Sequence, residues 1–316
     1  MDVLSFAVGF LALDRVPKIL PIHLVESEIV QAELISKSIG SVSDRFPLPR
    51  FQVISLLEAI IRTCEAHKFQ VAEEIYEILV STKDSESAFG RFRIGSTDVV
   101  FRVHGDPFAL VQDGSTGFMT WEAGKCLCWY LSCLKDVRGK RILEIGCGTG
   151  VTGIVTCKFT EIAEYVFTDY HISTLENARS NWDLNFDQGF SGPAVQFQIL
   201  DMYDSTSQRH DTDVVVASDV LYDKELAVAL VNTLENAEFR FKEAIIASTI
   251  RTRATYDLFL STIENSESLR YETIRSAPFS DWVQNESDSK WRNFLGSKSM
   301  LFDPTVELIR ISRIRE

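Results

Sequence analysis

Arg141 to Gly153 read RILEIGCGTGVTG: a short apolar run, glycines at alternate positions, and then an apolar helical pattern. This order predicts a buried strand, a glycine turn and the start of a helix. The turn needs glycine because its backbone angles are closed to other residues and because the main chain must come close to a ligand. A helix that begins at such a turn offers free N–H groups. The stretch therefore predicts a ligand-binding turn between a strand and a helix.

Acidic neighbours indicate which ligand this turn binds. Glu144 lies two residues before the first glycine, where a carboxylate disfavours the pyrophosphate of a dinucleotide. S-adenosylmethionine has no phosphate, and its ammonium, sulfonium and ribose hydroxyls all suit acidic partners. We expect Glu144 at the amino-acid end of that cofactor, and Asp169, which follows a strand-like segment, at its ribose hydroxyls. S-adenosylmethionine is therefore favoured over NAD and over a turn that binds no ligand.

The composition is that of a globular protein with an acidic surface. The chain has 316 residues, of which 45% are hydrophobic and 24% are charged, enough for one large or two modest domains. Its net charge of −13 argues against a protein that holds a nucleic-acid backbone. An acidic surface suits a basic or lysine-presenting partner.

The cysteines and the N-terminus indicate a protein of a reducing compartment. Six cysteines follow no metal-ligand spacing and the five histidines are scattered, so we expect reduced, buried thiols and no metal site. Met1 to Leu13 is apolar, but it lacks a basic segment and is too short to span a bilayer. We interpret it as a docked N-terminal segment of a cytoplasmic protein that contacts no membrane.

The first 88 residues are expected to form a helical region. Apolar side chains recur at helical spacing over Phe51 to Ala66 and over Phe69 to Val80, which predicts two packed helices. Phe89 to Val103 then alternates around a glycine-containing turn, a pattern typical of a β-hairpin. We assign residues 1–88 to an N-terminal helical region and residues 89–316, hairpin included, to the second domain.

Beyond the hairpin, segments with helix and strand periods alternate. A helix capped by Thr120 is expected to extend to about Leu134. After it we expect strands at 141–145, 165–168, 195–200, 213–217, 244–249, 269–274 and 306–311, and helices at 151–159, 173–185 and 224–236. Such alternation gives an α/β fold with a mostly parallel sheet, right-handed crossovers and helices on both faces.

Four acidic residues fall at or just after the carboxyl ends of these strands, where ligands bind in an open sheet. They are Glu144, Asp169, Asp201 and Asp219. The last begins the sequence Asp-Val-Leu-Tyr, so its carboxylate can meet the phenol of Tyr222 on one side of the turn. We expect Asp219 and Tyr222 to be catalytic residues that hold and aim a lysine amine while its proton leaves to water. The alternative is a helix-capping Asp beside a packed Tyr.

Two further side chains have both a ligand-binding and a structural interpretation. Trp121 is expected to cover the charged end of the cofactor with its ring face, or else to be a core tryptophan at the start of a helix. Asp201 is expected to accept a hydrogen bond from the adenine amino group, with the same structural alternative.

Five segments carry a resemblance to a known family: GFMTWEA at Gly117 to Ala123, ILEIGCGTG at Ile142 to Gly150, FTDYH at Phe167 to His171, LDMYD at Leu200 to Asp204 and VVVASDVLY at Val214 to Tyr222. They resemble the family 16 seven-β-strand protein methyltransferases, and most of all those members that methylate elongation factor 2. The glycine motif marks only the superfamily, whereas the Trp121 segment together with Asp-Val-Leu-Tyr is much more specific. The likeness extends from about residue 51 to the C-terminus.

The resemblance implies a Rossmann-like, seven-stranded class I methyltransferase sheet, preceded by the helical region and the hairpin. It places the cofactor against Trp121, Gly146, Cys147, Gly148, Asp169, Met202 and Ser218. Relatives commonly carry Trp at the position of Met202 and Ala at the position of Ser218. Methionine can fill the same space beside an adenine ring, and serine is a small change.

The resemblance also implies the reaction and its partner. We expect a protein-lysine N-methyltransferase that transfers methyl from S-adenosylmethionine to a lysine of elongation factor 2, to the trimethyl state. The partner is then a folded protein and not a nucleic acid, and the enzyme is expected to be a monomer. A lysine of another protein target, or an inactive adapter with the same fold, are the alternatives. The intact acidic and glycine positions of the site argue against the adapter.

Overall fold

The structure is a computed structural model that describes residues 2–4, 7, 11, 16–40, 46–83, 88–103, 115–186, 190–207, 209–296 and 303–314. The chain divides into two compact units. The helical unit comprises Met1–Phe108 and Glu286–Leu301, and the sheet unit comprises Ala109–Asn285 and Phe302–Glu316. Of the apolar segment Met1 to Leu13, which we expect to be docked, only residues 2–4, 7 and 11 are described, and Ala7 and Leu11 are buried.

The elements are as follows in chain order. The described helices are α1 (Glu28–Ile35), α2 (Arg50–His67), α3 (Glu73–Ser81), α4 (Glu122–Trp129), α5 (Val151–Phe159), α6 (Ile172–Asn185), α7 (Lys224–Glu235), α8 (Arg253–Glu264), α9 (Phe279–Gln284) and α10 (Ser289–Gly296). The described strands are β1 (Phe89–Ile94), β2 (Thr97–Arg102), β3 (Arg141–Ile145), β4 (Glu164–Asp169), β5 (Ala194–Ile199), β6 (Val214–Ser218), β7 (Glu243–Thr249), β8 (Leu269–Pro278) and β9 (Thr305–Arg313). Short 3-10 or π turns lie at Ile22–Leu24, Ser36–Gly40, Tyr130–Leu134 and Met202–Ser207, and a two-residue strand pair joins His210–Asp211 to Phe239–Arg240.

The helical unit contains the predicted helices and also the hairpin. The apolar stripe of α2 is buried at Leu56, Leu57 and Ile60, as its helical spacing predicts. In the hairpin, the Phe89 N–H donates to the carbonyl of Pro47 at 2.9 Å. The Phe92 ring packs edge to face on Phe294 of α10, with 5.5 Å between ring centroids.

These contacts place the domain boundary differently from our prediction at residues 88 and 89. The hairpin β1–β2 belongs to the helical unit, and so does α10, although α10 lies near the C-terminus of the chain. The sequence pattern indicates that a hairpin forms, but the long-range packing of its aromatic side chains decides to which unit it belongs.

The sheet unit contains a seven-stranded sheet in the order β8-β9-β7-β6-β3-β4-β5, which confirms the predicted α/β fold. Strands β7, β6, β3, β4 and β5 are parallel, as the alternation of helices and strands predicts. Strand β9 lies antiparallel to both of its neighbours, β8 and β7. The carboxyl ends of β3, β4 and β6 therefore meet at one edge of the sheet, where the site described below is built.

Side chains alternate between the two faces of the sheet, and this alternation fixes which residues of β3 enter which core. Leu143 and Ile145 join an apolar cluster with residues of α7 and α8, including Leu230 and Phe259. Glu144 lies between them in sequence and therefore points to the opposite face, where Tyr165 donates a hydrogen bond to it. The direction of this carboxylate is set by the strand geometry.

The start of α4 and the position of α8 differ from our expectations. Trp121, rather than Thr120, is the N-cap of α4, because the Thr120 hydroxyl is bonded to the hydroxyl of Thr149 at 2.9 Å. We did not predict α8, although Tyr256, Phe259 and Ile263 recur at helical spacing and are buried. Within the described residues, no helix combines the length and the apolar character needed to cross a bilayer.

Candidate active site

A cavity of about 460 Å³ opens at the carboxyl ends of β3, β4 and β6. This volume lies within the range of roughly 300–1,000 Å³ that is typical of small-molecule sites. All of its lining residues belong to the sheet unit. The sequence-predicted site residues that line it are Trp121, Gly146, Cys147, Gly148, Asp169, Asp201, Met202, Ser218, Asp219 and Tyr222.

The glycine turn forms one wall of the cavity with backbone angles that other residues rarely adopt. Gly146 has φ +68° and Gly148 has φ +53°. A Cβ at Gly148 would lie 3.1 Å from the carbonyl oxygen of Gly117, and one at Gly146 would lie 2.8 Å from a methyl of Val220. Gly148 thus packs against the main chain of Gly117, and Gly146 packs against the Val220 side chain, so neither position has room for a side chain of its own. The absence of side chains at both positions leaves the cavity open to a ligand.

Asp169, at the end of β4, links the glycine turn to the start of α6. Its Oδ2 accepts a hydrogen bond from the Gly148 N–H at 3.1 Å, and its Oδ1 accepts one from the His171 N–H at 3.0 Å. Burial raises the pKa of Asp169, and these two backbone N–H groups oppose that rise. A carboxylate at this point of the cavity wall can still accept hydrogen bonds from hydroxyl groups of a ligand, because each oxygen has a second lone pair.

The remaining predicted cofactor contacts also reach the cavity. The indole N–H of Trp121 donates to the carbonyl of Thr116 at 3.3 Å, so the ring has a fixed orientation. Asp201 accepts a hydrogen bond from the Tyr203 N–H at 2.8 Å and thereby shapes the turn that carries Met202. Burial raises the pKa of the Cys147 thiol well above its usual value, so Cys147 contributes a neutral wall.

Glu144 is the predicted cofactor contact that the structure does not bring to the cavity. Its side chain has no solvent exposure and is absent from the lining residues. Its Oε2 accepts a hydrogen bond from the Tyr165 hydroxyl at 2.9 Å, whereas Oε1 has no hydrogen-bond partner. Burial raises the pKa of Glu144 to about 8. The structure therefore places Glu144 behind the cavity wall, hydrogen-bonded to Tyr165, and not among the residues that line the cavity.

Asp219 and Tyr222 differ in what they present to the cavity. Asp219 has φ +53°, and its side chain is only 3% exposed. Its Oδ1 accepts from the Thr249 N–H at 2.7 Å and its Oδ2 from the Thr249 hydroxyl at 2.9 Å. Tyr222 is 59% exposed, and no hydrogen bond joins these two described residues, in contrast to the direct pairing that we expected. Its phenol is thus the more accessible of the two groups.

Two residues of the site were assigned no role in the sequence-based prediction, although the family resemblance includes a strand that ends in Arg251. Arg251 places its guanidinium 4.5 Å from the centroid of the Trp121 ring and 3.4 to 3.5 Å from the Asp219 oxygens. Thr149, in the glycine turn, fixes Thr120 through their hydroxyl contact. Arg251 lies two residues after the end of β7, so the rule that ligands bind at strand ends would have identified it.

The chemistry of the lining fits S-adenosylmethionine. Asp169 and Asp201 are acceptors for hydroxyl and amino groups, and the Trp121 ring is a suitable neighbour for a cation. Among the described residues that line the cavity there is no lysine or arginine to neutralise a pyrophosphate. In the described part of the chain, no three His, Cys, Asp or Glu side chains come together in a group that could hold a metal ion.

Comparisons with known proteins agree with this geometry. A family model described as lysine methyltransferase matches residues 108–266. The chain is 32% identical over 271 residues to protein-lysine N-methyltransferase EFM3 of Chaetomium thermophilum, which covers 76% of this chain and 80% of that protein. It is 29% identical over 226 residues to protein-lysine N-methyltransferase EEF2KMT of Homo sapiens, covering 66% and 68% of the two chains. It is 29% identical over 182 residues to protein N-lysine methyltransferase METTL21A of Danio rerio, covering 54% and 79%.

Proposed function

The chain belongs to the lysine methyltransferase family, and on that premise we propose that it methylates a lysine of translation elongation factor 2, to the trimethyl state. Its methyl donor is S-adenosylmethionine and its acceptor is a protein lysine. We propose the identity of the target, the number of methyl groups that it receives and the roles of individual residues.

The extent of the likeness supports this target. The alignment with EFM3 covers 76% of the chain, and the one with EEF2KMT, whose name denotes elongation factor 2, covers 66%. The alignment with METTL21A covers 54%. All three alignments therefore include residues beyond the segment 108–266 that the family model matches, and the first two include the most. Residues outside the catalytic segment are where a target-specific docking surface is expected, since fold alone does not determine the substrate. This is the observation that carries the proposal.

The residues of the cavity have distinct proposed roles toward the cofactor, which supplies a methyl group on a sulfonium when bound. Asp169 accepts hydrogen bonds from ribose hydroxyls, and Asp201 accepts one from the adenine amino group. Met202 packs on the adenine. The other contacts proposed are Trp121, Gly146, Cys147, Gly148 and Ser218, all of which line the same cavity.

Tyr222 is proposed to aim the target amine. Its hydroxyl lies at the rim of the cavity on a side chain that is 59% exposed. Burial raises its pKa, and the neighbouring Asp223, Tyr203 and Asp169 raise it further. The phenol therefore stays protonated at neutral pH, and its oxygen can accept a hydrogen bond from an N–H of the neutral amine, which leaves the nitrogen lone pair free to point at the methyl group. It cannot remove the lysine proton itself, so that proton is proposed to leave to water.

The proposed location and assembly follow from the proposed target. Elongation factor 2 acts in the cytoplasm, and we propose the same location for this enzyme. The acidic chain, with a net charge of −13, suits a lysine-presenting protein partner. We propose that it acts as a monomer.

The test uses the purified protein, S-adenosylmethionine labelled on its methyl group, and a lysate of cells that lack the enzyme. We expect one labelled band of the size of elongation factor 2, in which mass spectrometry finds a single trimethylated lysine. Asp169→Ala should weaken cofactor binding by about 1.5–3 kcal/mol, the usual loss of a charged hydrogen bond, and should reduce labelling. Asp183→Ala, which removes an exposed carboxylate on α6, is the matched control and should label like the wild type.

The contrary outcomes point to the two alternatives. A labelled band of another size would replace elongation factor 2 as the target while leaving the reaction intact. Calorimetric binding of S-adenosylmethionine without labelling of any protein would favour the inactive adapter.

A further inference from the structure

Arg251 forms an ion pair with Asp219, a residue that lines the cavity in which the target lysine is proposed to react. The two guanidinium contacts to the Asp219 oxygens measure 3.4 and 3.5 Å, and the Arg251 side chain is 38% exposed. The guanidinium also lies 4.5 Å from the centroid of the Trp121 ring. An arginine in this arrangement is held from two sides, by a carboxylate and by an aromatic face.

Thr249 fixes the Asp219 carboxylate in the orientation that Arg251 meets. Both carboxylate oxygens accept short hydrogen bonds from Thr249, at 2.7 Å from its N–H and 2.9 Å from its hydroxyl. With φ +53° at Asp219 and only 3% exposure of its side chain, the carboxylate cannot swing freely toward the cavity. The longer contacts to Arg251 thus compensate the charge of the Asp219 carboxylate, whereas the shorter hydrogen bonds from Thr249 determine its position.

This compensation matters because the target amine must lose a proton before it reacts. Taking a lysine from pKa ~10.4 to the neutral form at pH ~7.4 costs about 4 kcal/mol. An uncompensated carboxylate within about 4–6 Å would add to that cost, since it stabilises the ammonium. A guanidinium beside the carboxylate removes this penalty.

Other charged groups around the pair do not replace Arg251. Glu122, on α4, is 3% exposed, one of its oxygens lacks a hydrogen-bond partner, and burial raises its pKa. Lys125, also on α4, has no solvent exposure and lowers the pKa of Glu122. Asp169, on β4, and Asp223, before α7, add further acidic charge at the cavity, and Tyr222 is a neutral phenol at neutral pH. The charged side chains that line the cavity are therefore mostly acidic (Asp169, Asp201, Asp219 and Asp223), and His171 is the one basic side chain among the described lining residues.

We propose that Arg251 is a positioning residue that neutralises Asp219, so that the enzyme binds the target lysine as the neutral amine. This inference rests on the proposed function. In the step itself the nitrogen lone pair forms the N–C bond while the S–C bond breaks, and its electron pair returns to sulfur. The sulfonium becomes a thioether and the product is an N-methylammonium. Before this step, the lysine ammonium has lost one proton to water.

The test is the pH dependence of kcat from pH 6.5 to 10, at saturating S-adenosylmethionine and saturating unmethylated elongation factor 2. At saturation this profile reports the pKa of the bound complex. Arg251→Gln keeps a planar donor but removes the charge, so we expect the apparent pKa to rise by about one unit, with a rate about tenfold lower at pH 7. Arg251→Lys keeps the charge and should keep the wild-type pKa. Asp219→Asn with Arg251→Gln removes both charges and should return the pKa to the wild-type value.

A second measurement and a matched control separate this role from a structural one. Calorimetric titration of S-adenosylmethionine should give Arg251→Gln a Kd within about threefold of the wild type, because the charge acts on the amine and not on the cofactor. Arg253→Gln is the control, since Arg253 pairs with Asp257 within α8, and its profile should be unchanged.

Three results would overturn the inference. The first is an Arg251→Gln variant whose kcat is lowered by the same factor at every pH. The second is a double variant that keeps the raised apparent pKa. The third is an Arg251→Gln variant whose apparent pKa is unchanged and whose affinity for S-adenosylmethionine is lowered more than tenfold. Failure of the proposed function is distinguishable, because it shows as absence of methylation in the wild type before any variant is made.

Discussion

Glu144 is the residue whose environment most affects stability as a function of pH. It has no solvent exposure, and burial raises its pKa to about 8 from an ordinary value of 4.5, although the hydrogen bond from Tyr165 and the nearby Thr152 side chain both lower it. Below pH 4.5 the acid is protonated in both the folded and the unfolded chain, so its contribution to stability is fully present. Between pH 4.5 and 8 the unfolded chain binds fewer protons than the folded one, and stability falls as pH rises.

The change Glu144→Gln should remove this dependence. At ~1.36 kcal/mol per pKa unit, the wild type should lose a few kcal/mol of its free energy of unfolding between pH 5 and pH 8.5. The variant should lose less over the same interval and be the more stable protein at pH 8.5. Urea unfolding at several pH values measures this, with Glu176→Gln, an exposed position on α6, as the control. Parallel curves for wild type and Glu144→Gln would contradict the protonated state of the buried acid.

Removal of the Tyr222 hydroxyl separates the effect on cofactor binding from the effect on methyl transfer. Tyr222→Phe removes one hydroxyl at the cavity rim, so cofactor affinity in calorimetry should be unchanged. Methyl transfer at saturating protein substrate should fall about 10- to 100-fold, because a misaimed amine loses alignment with the methyl group. Tyr271→Phe, whose hydroxyl donates to Glu264 on the surface, is the control. A Tyr222→Phe variant with the wild-type rate would show that the hydroxyl has no part in the transfer.

At the scale of elements, α5 packs on the sheet through a glycine. A Cβ at Gly153 would lie 2.3 Å from Phe167 and 2.5 Å from Tyr165, two fully buried rings. Gly→Ala inside a helix usually stabilises by up to about 1 kcal/mol, but overpacking of a core costs about 1–3 kcal/mol. The rings cannot move away easily, since Phe167 stacks on Phe197 with 4.7 Å between centroids.

We therefore expect Gly153→Ala to destabilise the protein by about 1–3 kcal/mol, visible as a lower Tm in calorimetry. Gly124→Ala in α4 is the matched change, because its new Cβ would lie at ordinary contact distances, 3.4 Å from the Ser218 hydroxyl and 3.9 Å from the Thr120 methyl. That variant should keep or slightly raise the Tm. Equal behaviour of the two variants would mean that α5 can shift on the sheet without cost.

At the scale of the whole molecule, the described residues of the site all belong to one of the two units. The lining residues from Ser115 to Leu226 and Arg251 lie in the sheet unit, while the hairpin and α10 lie in the helical unit. A chain that begins at Ala109, with residues 286–301 replaced by a Gly/Ser linker of equal length, should thus fold. It should bind S-adenosylmethionine with a Kd within about threefold of the full chain in calorimetry.

A chain cut at the boundary predicted from sequence is the informative comparison. Residues 89–316 keep the hairpin but lack Phe46, whose ring lies 5.3 Å from that of Phe89. This chain should expose apolar side chains and bind more anilinonaphthalene sulfonate than the chain that begins at Ala109. The reverse order of dye binding would contradict the assignment of the hairpin to the helical unit.

The sequence by itself determined most of the elements and most of the cavity wall. The run RILEIGCGTG predicts the strand, the turn and the helix, and the strand-end rule places Asp169, Asp201 and Asp219 at one edge of the sheet. Periodicity and glycine backbone freedom are local, because they act over a few residues, and the alternation of helices with strands then implies that the strands pair in parallel. The structure accordingly confirms the predicted α/β sheet with seven strands.

The tertiary structure alone decided which groups meet. Glu144 faces Tyr165 because the alternation of side chains along β3 points it away from the glycine turn that follows the strand. The carboxylate of Asp219 is held by Thr249 and Arg251. The hairpin joins the helical unit through contacts with residues distant in sequence. Such pairings depend on packing and on the compensation of buried charge between segments far apart in the chain. No local sequence pattern specifies these pairings, because the residues next to each partner in the sequence do not distinguish it from any other polar or aromatic residue.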